Sequence, residues 1–324
     1  MKCTNKYDKT KLLCVVLCIA AIFITGCGTQ KTVIENAYPL YAGHTNTTSG
    51  SFFASNLCVT DNFDYGTDQT DSQVAEGAGV FNLDTKEVLY SQNLFGKLYP
   101  ASTTKILTAY IIIRSCNLDD SVTVSETAVQ GMSDSSVCGI QAGDVLTVRD
   151  LLYGLMLVSG NDAANALAEY HSGSIDAFAE VMNEEARKLG ATNSHFVNPN
   201  GLPDEEHYTT VYDMYLIFQE AIKQQEFINL IQTGSKDVTY HNASGNEVTK
   251  TWRNTCRYVN GDQTAPEGFT VIGGKTGTTN AAGYCLVLYS TNEAGENIIS
   301  IVFKADGRSN LYMLMDQILS RFAN

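Results

Sequence analysis

The most informative part of this sequence is Pro100-Ala-Ser-Thr-Thr-Lys-Ile-Leu-Thr-Ala109. Proline is favoured at the beginning of a helix, and apolar residues continue at helical spacing from Ile106 to Ile113. Residues three apart share a face of a helix, so we expect Lys105 to reach the hydroxyl of Ser102. A serine hydroxyl is a weak nucleophile near neutral pH and needs an adjacent base. The stretch therefore predicts a serine nucleophile and a lysine base.

Lys105 can act as a base only if its amine is neutral for part of the time. Burial and a second nearby cation both lower the pKa of a lysine, and Lys275 is our candidate for that cation. Ser102 lies in the first turn after Pro100, where free backbone N–H groups and the helix dipole favour developing negative charge. The alternative is an ordinary helix start with a solvated lysine.

A second string, Ser159-Gly-Asn161, separates two apolar helical segments. A break between helices can direct both side chains into a cleft. Ser159 is suited to relaying a proton between a lysine and a leaving group, and Asn161 to binding a substrate carbonyl and Lys105. A simpler interpretation, which is compatible with the first, is a helix break with Asp162 as the N-cap.

A third string, Gly273-Gly-Lys-Thr-Gly-Thr-Thr279, falls on a predicted strand. Glycines such as Gly277 allow the backbone of a substrate to approach closely, as in strand addition. Lys275 and Thr276 offer a cation and a hydroxyl to a carboxylate. The N–H groups of Thr278 and Ser102 would together form an oxyanion hole with two donors.

The order of predicted elements indicates an α+β fold. Residues 77–81 and 87–90 read as a hairpin, helices follow through the middle, and three strands after residue 270 precede a closing helix over 310–322. We therefore expect one antiparallel sheet, built from both ends of the chain and flanked by helices, with an inserted all-α lobe.

Composition limits the possible partners and cofactors. With 324 residues, 44% of them apolar, and a formal net charge of −14, the chain can bury a large core and is unsuited to nucleic acid. Its nine cysteines show no close C-x-x-C pairing, which argues against a disulfide framework or a zinc site. One cysteine pair, involving Cys138 or Cys58, remains open to oxidation outside the cell. We expect no cofactor and no metal.

The N-terminus has the pattern of an export signal. Four lysines precede an apolar stretch from Leu12 to Ile24 that is short for a spanning helix. Ile24-Thr-Gly-Cys27 resembles the lipobox of bacterial lipoproteins, which implies cleavage before Cys27 and a diacylglyceryl group on its sulfur. The alternatives are an ordinary secretory signal or an uncleaved anchor. We expect residues 1–26 to be a lipoprotein signal peptide, 27–74 a lipidated N-terminus and polar tether, and 75–324 the catalytic domain.

Taken together, the three strings fall in the chain order of the Ser-x-x-Lys, Ser-x-Asn and Lys-Thr-Gly elements of penicillin-binding proteins and serine β-lactamases. Within that superfamily the chain resembles the low-molecular-mass penicillin-binding D-alanyl-D-alanine carboxypeptidases, a family of serine DD-peptidases. The resemblance extends from about Ala75 to Phe322. Further stretches that carry it are Leu151-Leu-Tyr-Gly-Leu-Met-Leu-Val-Ser-Gly-Asn-Asp-Ala-Ala, Phe196-Val-Asn-Pro-Asn-Gly-Leu, His207-Tyr-Thr-Thr and Gly274-Lys-Thr-Gly-Thr-Thr-Asn-Ala-Ala-Gly-Tyr.

The resemblance implies a role for each matching residue. Ser102 is the acylated nucleophile and Lys105 its base, while Ser159 and Asn161 form the second element. The residues implied in substrate binding are Lys275, Thr276, Gly277, Thr278 and Arg308, the last in Asp306-Gly-Arg. The implied partners are peptidoglycan stem peptides and β-lactams, with the enzyme a monomer outside the cytoplasm. Many relatives carry a second β-rich domain and a C-terminal membrane helix, and we expect the lipid at Cys27 to replace that anchor.

Two rival functions fit parts of the pattern. A class A β-lactamase would need a deacylating glutamate between the second and third strings, where Glu205 and Glu206 lie within a stretch that resembles the carboxypeptidase pattern. A catalytically idle β-lactam- or wall-binding lipoprotein would not need all three strings. Whether a carboxypeptidase of this kind also has endopeptidase or weak transpeptidase activity stays open.

Overall fold

Strands from both ends of the chain form the central sheet of the structure, a computed structural model that describes residues 54–132 and 135–323. The strands of the described residues are, in chain order, β1 Gly77–Asn82, β2 Glu87–Gln92, β3 Ser121–Thr123, β4 Val145–Thr147, β5 Ser235–His241, β6 Glu247–Arg253, β7 Thr270–Thr279, β8 Gly283–Thr291 and β9 Asn297–Ala305. The helices of the same residues are α1 Lys105–Ser115, α2 Glu126–Val129, α3 Val148–Leu157, α4 Asn161–Ser172, α5 Ile175–Lys188, α6 Val211–Ala221, α7 Gln225–Gln232, α8 Arg257–Asn260 and α9 Arg308–Phe322.

The central sheet has the strand order β2-β1-β9-β8-β7, and all its neighbours are antiparallel. β1 pairs with β9 from Gly77 opposite Phe303 to Asn82 opposite Ile298, which joins the two ends of the chain. The predicted sheet from both chain ends is confirmed. β7, which carries the Lys-Thr-Gly string, lies at an edge of this sheet.

Helices cover both faces of the sheet, which explains why β9 is apolar at nearly every position. Alternate residues point to opposite faces of a strand. Ile299, Ile301 and Phe303 belong to the core shared with the helical part of the protein, whereas Ile298 and Val302 pack in a second core with α9. Both sets are fully buried.

The helix α1 runs through the helical part of the protein and is buried on all sides over its first eight residues, from Lys105 to Ile112. A helix with no polar face is one enclosed by its neighbours. Lys105 is consequently fully buried, although a lysine side chain is rarely found in such a place.

The inserted part is not purely helical, which corrects the expected all-α lobe. It contains a second antiparallel sheet in the order β3-β4-β5-β6. Within the hairpin of β5 and β6 only Val238, Tyr240 and Trp252 are buried, and the other side chains are mainly polar and exposed. Because so few apolar residues alternate there, hydrophobic periodicity does not indicate these strands.

The segment before β1 packs against the domain from Leu57 onward. The Cys58 N–H donates to the Tyr215 hydroxyl at 2.8 Å, and Tyr65 pairs with Ser91 of β2. Contacts with the domain therefore reach into the range expected as tether. None of the helices in the described ranges is both long and apolar enough to cross a membrane.

Candidate active site

Ser102 lies on a short 3-10 turn, Ala101–Thr104, that leads into α1. Pro100 precedes the turn, and its carbonyl accepts a hydrogen bond from the Thr103 hydroxyl at 2.7 Å. Ala101 has a φ of 48°, in the left-handed region that non-glycine residues rarely adopt. This backbone places the Ser102 hydroxyl 3.1 Å from the Nζ atom of Lys105, so the expected contact is present.

The Lys105 amine has three neighbours that fix its orientation. Besides Ser102 Oγ, they are Asn161 Oδ1 and the backbone carbonyl of Asn200, each 2.6 Å from Nζ. The two carbonyl oxygens can only accept hydrogen bonds. A neutral amine has two N–H groups and one lone pair, so when both carbonyls are engaged the lone pair faces the Ser102 hydroxyl. The geometry prepares Lys105 to take the serine proton.

The electrostatics favour the same state of Lys105. Burial lowers the pKa of Lys105 well below its usual value, and the positive charge of Lys275 lowers it further. Desolvation and a like charge both penalise the ammonium form. The amine is therefore a stronger candidate for a general base than a solvated lysine.

Asn200 and Asn165 are site residues that reasoning from single motifs missed. The Asn200 side chain donates to Asn165 Oδ1 at 3.0 Å and its own Oδ1 accepts the Leu202 N–H at 2.9 Å. These bonds fix the peptide whose carbonyl contacts Lys105. Asn165 lies one turn after Asn161 on α4 and is buried. The only signal in the sequence was the turn-forming run Phe196-Val-Asn-Pro-Asn-Gly-Leu, which carried the resemblance without an assigned role.

The second string forms a strained turn between α3 and α4. Ser159 is buried and has a φ of 61°, a conformation that is unfavourable for a residue with a side chain. Its hydroxyl accepts a hydrogen bond from Lys275 Nζ at 3.0 Å. Asn161 starts α4 and directs its side chain to Lys105. A strained residue that persists at a cleft is a candidate for function.

Asp162 is not the N-cap of α4, in contrast to the simpler interpretation of this string. The N-cap position is Gly160, and no side chain caps the helix. The Asp162 carboxylate instead accepts N–H groups of the preceding loop, from Cys138, Gly139 and Ile140, at 2.8, 2.9 and 3.2 Å. It thereby ties this loop to the start of α4.

The third string brings a second buried amine to the cleft. Lys275 is 1% exposed, and burial lowers its pKa to about 7. Thr276 shares a hydrogen bond with Thr255, with 2.6 Å between the two hydroxyl oxygens. A Cβ atom on Gly277 would lie 2.9 Å from the Ser102 backbone nitrogen, so only glycine lets β7 pass this close to the nucleophile. As an edge strand, β7 has backbone groups free for a partner.

Two cavities share Ser102, Ser136 and Thr278 in their walls. One has a volume of about 300 Å³, and its lining includes Ser159, Thr276, Gly277, Tyr284 and Arg308. The other has a volume of about 490 Å³, and its lining includes Asn161, Asn200, Gly201, Leu202 and Asn280. Every candidate residue within the described ranges lines a cavity or contacts one that does. Cys27 lies outside the described residues.

The neutral side chain of His207 supports the turn that carries the nucleophile. The Val197 N–H donates to His207 Nδ1 at 3.1 Å, so Nε2 carries the hydrogen and donates to Thr104 Oγ1 at 2.8 Å. Burial lowers the pKa of His207 to about 4, so the ring stays neutral near pH 7. No three His, Cys, Asp or Glu side chains within 54–132 and 135–323 are grouped as a metal site requires.

One serine contacts a buried amine, a second serine contacts a second buried lysine, and an open sheet edge lies beside them. This arrangement on an α+β scaffold is chemically suited to acyl transfer through a serine. Solved structures share this scaffold. The crystal structure of the Streptomyces K15 DD-transpeptidase is 30% identical, with a TM-score of 0.69, over 76% of this chain and 97% of that one. A putative penicillin-binding protein homologue from Mycobacterium tuberculosis is 27% identical, with a TM-score of 0.66, over 76% and 90% of the two chains.

Sequence comparisons identify the family. The family model described as D-alanyl-D-alanine carboxypeptidase, peptidase S11, matches residues 66–307. The D-alanyl-D-alanine carboxypeptidase of Streptomyces sp. strain K15 is 35% identical over 70% of this chain and 80% of its own length. DacF of Bacillus subtilis is 35% identical over 71% of this chain and 57% of its own length. DacC of Escherichia coli is 35% identical over 68% of this chain and 54% of its own length. The match thus spans little more than half of DacF and DacC. The chain belongs to the D-alanyl-D-alanine carboxypeptidase family, which confirms the resemblance read from its motifs.

Proposed function

We propose that this protein is a serine D-alanyl-D-alanine carboxypeptidase that removes the terminal D-Ala from peptidoglycan stem pentapeptides through an acyl-enzyme at Ser102. The observation that carries the proposal is the Lys105 amine, which is fully buried and lies 3.1 Å from the Ser102 hydroxyl. Its two carbonyl partners leave the lone pair for the serine proton. Family membership supports the same substrate.

Acylation follows from this arrangement. The Ser102 hydroxyl gives its proton to Lys105 as Oγ attacks the carbonyl carbon of the penultimate D-Ala. The negative charge on the carbonyl oxygen is stabilised by the N–H groups of Ser102 and Thr278. The C–N bond then breaks, and the proton taken from Ser102 passes from Lys105 through the hydroxyl of Ser159, which is hydrogen-bonded to Lys275, to the departing amine, so Lys105 is neutral again. The products are free D-Ala and an ester on Ser102.

Deacylation uses the same base. A water molecule attacks the ester carbon and gives a proton to Lys105, and the Ser102 oxygen leaves and takes a proton back. The released peptide ends in the carboxylate of its former penultimate D-Ala. The departing terminal residue carries a carboxylate of its own. We propose that Lys275, Thr276 and Arg308 bind this carboxylate, because they supply two cations and a hydroxyl near one cavity.

β-Lactams are expected to acylate Ser102 in the same way, but rapid hydrolysis of β-lactams is the less supported function. Glu205 and Glu206, the residues available for a deacylating carboxylate, are both exposed. Neither lines the cavities beside Ser102. An idle binding protein is also less supported, because all three strings meet at one cleft.

We further propose that the protein acts outside the cytoplasm, anchored by a lipid on Cys27 after removal of residues 1–26. The lipobox-like Ile24-Thr-Gly-Cys27 supports this location, as does a substrate that lies in the cell wall. All groups of the proposed mechanism come from a single chain, which is compatible with a monomer. Residues 75–324 supply these groups and form the proposed catalytic domain.

The function is tested by following D-Ala release from a peptide ending in L-Lys-D-Ala-D-Ala. We expect steady release by the natural protein and, for Lys105→Ala, a rate lower by about 10²–10⁴-fold, the usual effect of losing a general base. Arg308→Ala should slow the peptide with a free C-terminus much more than its amidated analogue. Absence of D-Ala release from the natural protein would refute the carboxypeptidase function, and equal slowing of both substrates would refute the role of Arg308.

A further inference from the structure

Two arginines line the cavity beside Thr276, although the substrate considered so far needs only one. Arg257 and Arg308 are both part of its wall. Neither guanidinium forms a salt bridge with any carboxylate among the described residues, where the ion pairs involve other arginines and lysines. Two unpaired cations at one cavity of an acidic protein indicate a site for negative charge.

Aromatic rings hold the two guanidinium groups in place. The Arg257 guanidinium carbon lies 5.7 Å from the centre of the Tyr312 ring, and its backbone N–H donates to the Tyr312 hydroxyl at 3.0 Å. The Arg308 guanidinium carbon lies 5.9 Å from the centre of the Tyr284 ring. A guanidinium stacked on a ring keeps its N–H groups free to bind a carboxylate with two parallel hydrogen bonds.

Both arginines act on the same part of the cavity. Burial raises the pKa of the Tyr312 hydroxyl, whereas the positive charges of Arg257 and Arg308 both oppose that effect. The one carboxylate in the wall, Asp262, is bound by Arg253 at 2.7 Å and also interacts electrostatically with Arg257, so a single carboxylate is set against three arginines and the wall keeps an excess of positive charge. The helix α9 begins at Arg308, and its N-cap residue, Gly307, offers no side chain to cap it. The positive end of the helix dipole therefore adds to the positive charge at this end of the cavity.

The cavity also has more room than D-Ala requires. Its volume of about 300 Å³ is that of a small ligand pocket, whereas the side chain of alanine is a single methyl group. If the terminal carboxylate of the substrate binds at Thr276 and Arg308, a longer side chain on that terminal residue extends into the remaining space. Arg257, Asn260 and Tyr312 line that space.

We infer that Arg257 is a second anion-binding residue, and that the leaving-group end of the cleft accepts C-terminal D-amino acids with a side-chain carboxylate, such as D-Glu, in addition to D-Ala. This inference rests on the proposed function. Arg308 binds the main-chain carboxylate of the departing residue, and Arg257 binds the side-chain carboxylate. The bond broken and the acyl-enzyme formed are those of the D-Ala reaction.

Two peptides that differ only in charge test the inference. Acyl-L-Lys-D-Ala-D-Glu and acyl-L-Lys-D-Ala-D-Gln are titrated by calorimetry into Ser102→Ala, which cannot cleave them. We expect the D-Glu peptide to bind more tightly, and the added Arg257→Gln substitution to weaken it about tenfold, the effect of losing one charged hydrogen bond. The D-Gln peptide should bind equally with and without Arg257.

The matched control is Arg187→Gln, which removes one positive charge from an exposed position on α5 and should leave both affinities unchanged. Equal weakening of both peptides by Arg257→Gln would make Arg257 a structural partner of Tyr312 and overturn the inference. Equal affinity of the two peptides for Ser102→Ala, or no binding of either peptide to it, would also overturn the inference. D-Ala release by the natural protein tests the proposed function separately, so a failure of the inference alone is recognisable.

Discussion

At the scale of residues, the site contains two buried amines, each in contact with one serine hydroxyl. Lys105 contacts Ser102 and Lys275 contacts Ser159. Burial lowers the pKa of both lysines, that of Lys275 to about 7. The proposed mechanism needs Lys105 neutral and Lys275 positively charged, so the two amines have opposite requirements for pH.

This opposition predicts a bell-shaped dependence of kcat/KM on pH. Activity rises with pH as Lys105 loses its proton, and it falls above about pH 7 as Lys275 loses its own. Lys275→Arg keeps the cation, because a guanidinium stays protonated up to a pH of about 12. We expect the alkaline limb to move to much higher pH in this variant, even at a lower maximum. An alkaline limb that stays near pH 7 would mean that Lys275 is not the titrating group.

Asn165 is expected to act on the base through Asn200. Asn165→Ala removes the partner of the Asn200 side chain, which loosens the carbonyl that orients Lys105. We predict that acylation by a β-lactam slows about tenfold, a modest loss of alignment, while peptide affinity measured in Ser102→Ala is unchanged. Asn183→Ala is the control, since Asn183 bonds to the Phe196 backbone and not to the cleft. Equal slowing by both variants would make the effect a general loss of stability.

Whether the sequence predicts a contact in the site depends on how far apart the two residues lie along the chain. Ser102 and Lys105 are three residues apart, so helical spacing alone predicts their contact. The partners Asn165 and Asn200, by contrast, are 35 residues apart in the chain and meet only in the folded state. Arg257 is similar, because only the packing of α8 beside α9 brings it to the cavity of Arg308.

At the scale of elements, the nucleophile turn is held against the segment after Pro199 by close backbone contact. Gly201 has a φ of 88°, and a Cβ atom there would lie 1.9 Å from the carbonyl oxygen of Ala101. The turn and this segment are also linked by His207 and Thr104. The position of Ser102 therefore depends on a glycine far along the chain.

Replacing Gly201 tests this dependence. Gly201→Ala should lower the free energy of unfolding by about 2 kcal/mol more than Gly245→Ala, through overpacking, and should slow acylation of Ser102 by about 10²-fold through misalignment. Gly245 is the matched control, since its φ is 78° but its Cβ would meet nothing within 4 Å. Chemical denaturation and stopped-flow acylation measure the two effects. Equal stability and equal rates in the two variants would contradict the role of Gly201.

The elements themselves were largely predictable where apolar periodicity was long. The hairpin of β1 and β2, the three C-terminal strands and the main helices follow it. The β5–β6 hairpin shows no such periodicity, because most of its side chains face solvent. The 3-10 form of the Ser102 turn also escaped prediction, since helical spacing does not distinguish a 3-10 turn from the first turn of an α-helix.

At the scale of the whole molecule, the cleft lies where the edge strand β7 meets the helical part of the protein. The central sheet joins both ends of the chain through the pairing of β1 with β9, and hairpin pairing with β8 adds β7 at its edge. The same arrangement leaves β7 open on one side for an extended peptide. A separate proposal at this scale is that a lipid on Cys27 anchors the molecule to the membrane.

Cys27→Ser tests that anchor. A serine hydroxyl does not replace the thiol in lipid attachment, so we expect unprocessed precursor or protein released from the membrane. Cell fractionation and intact-mass measurement report both. Cys116→Ser is the control, because Cys116 is a free, partly exposed cysteine of the domain and should not affect processing. Normal mature mass together with full membrane retention in Cys27→Ser would contradict lipidation at this residue.

The most direct test of the account is covalent trapping of the nucleophile. A β-lactam imitates the D-Ala-D-Ala terminus, so the protein is incubated with penicillin and its intact mass and peptide masses are measured. We predict the addition of one drug mass, located on the peptide that contains Ser102, and no addition in Ser102→Ala. An adduct on another residue, or one that persists in Ser102→Ala, would contradict the assignment of Ser102 as the nucleophile.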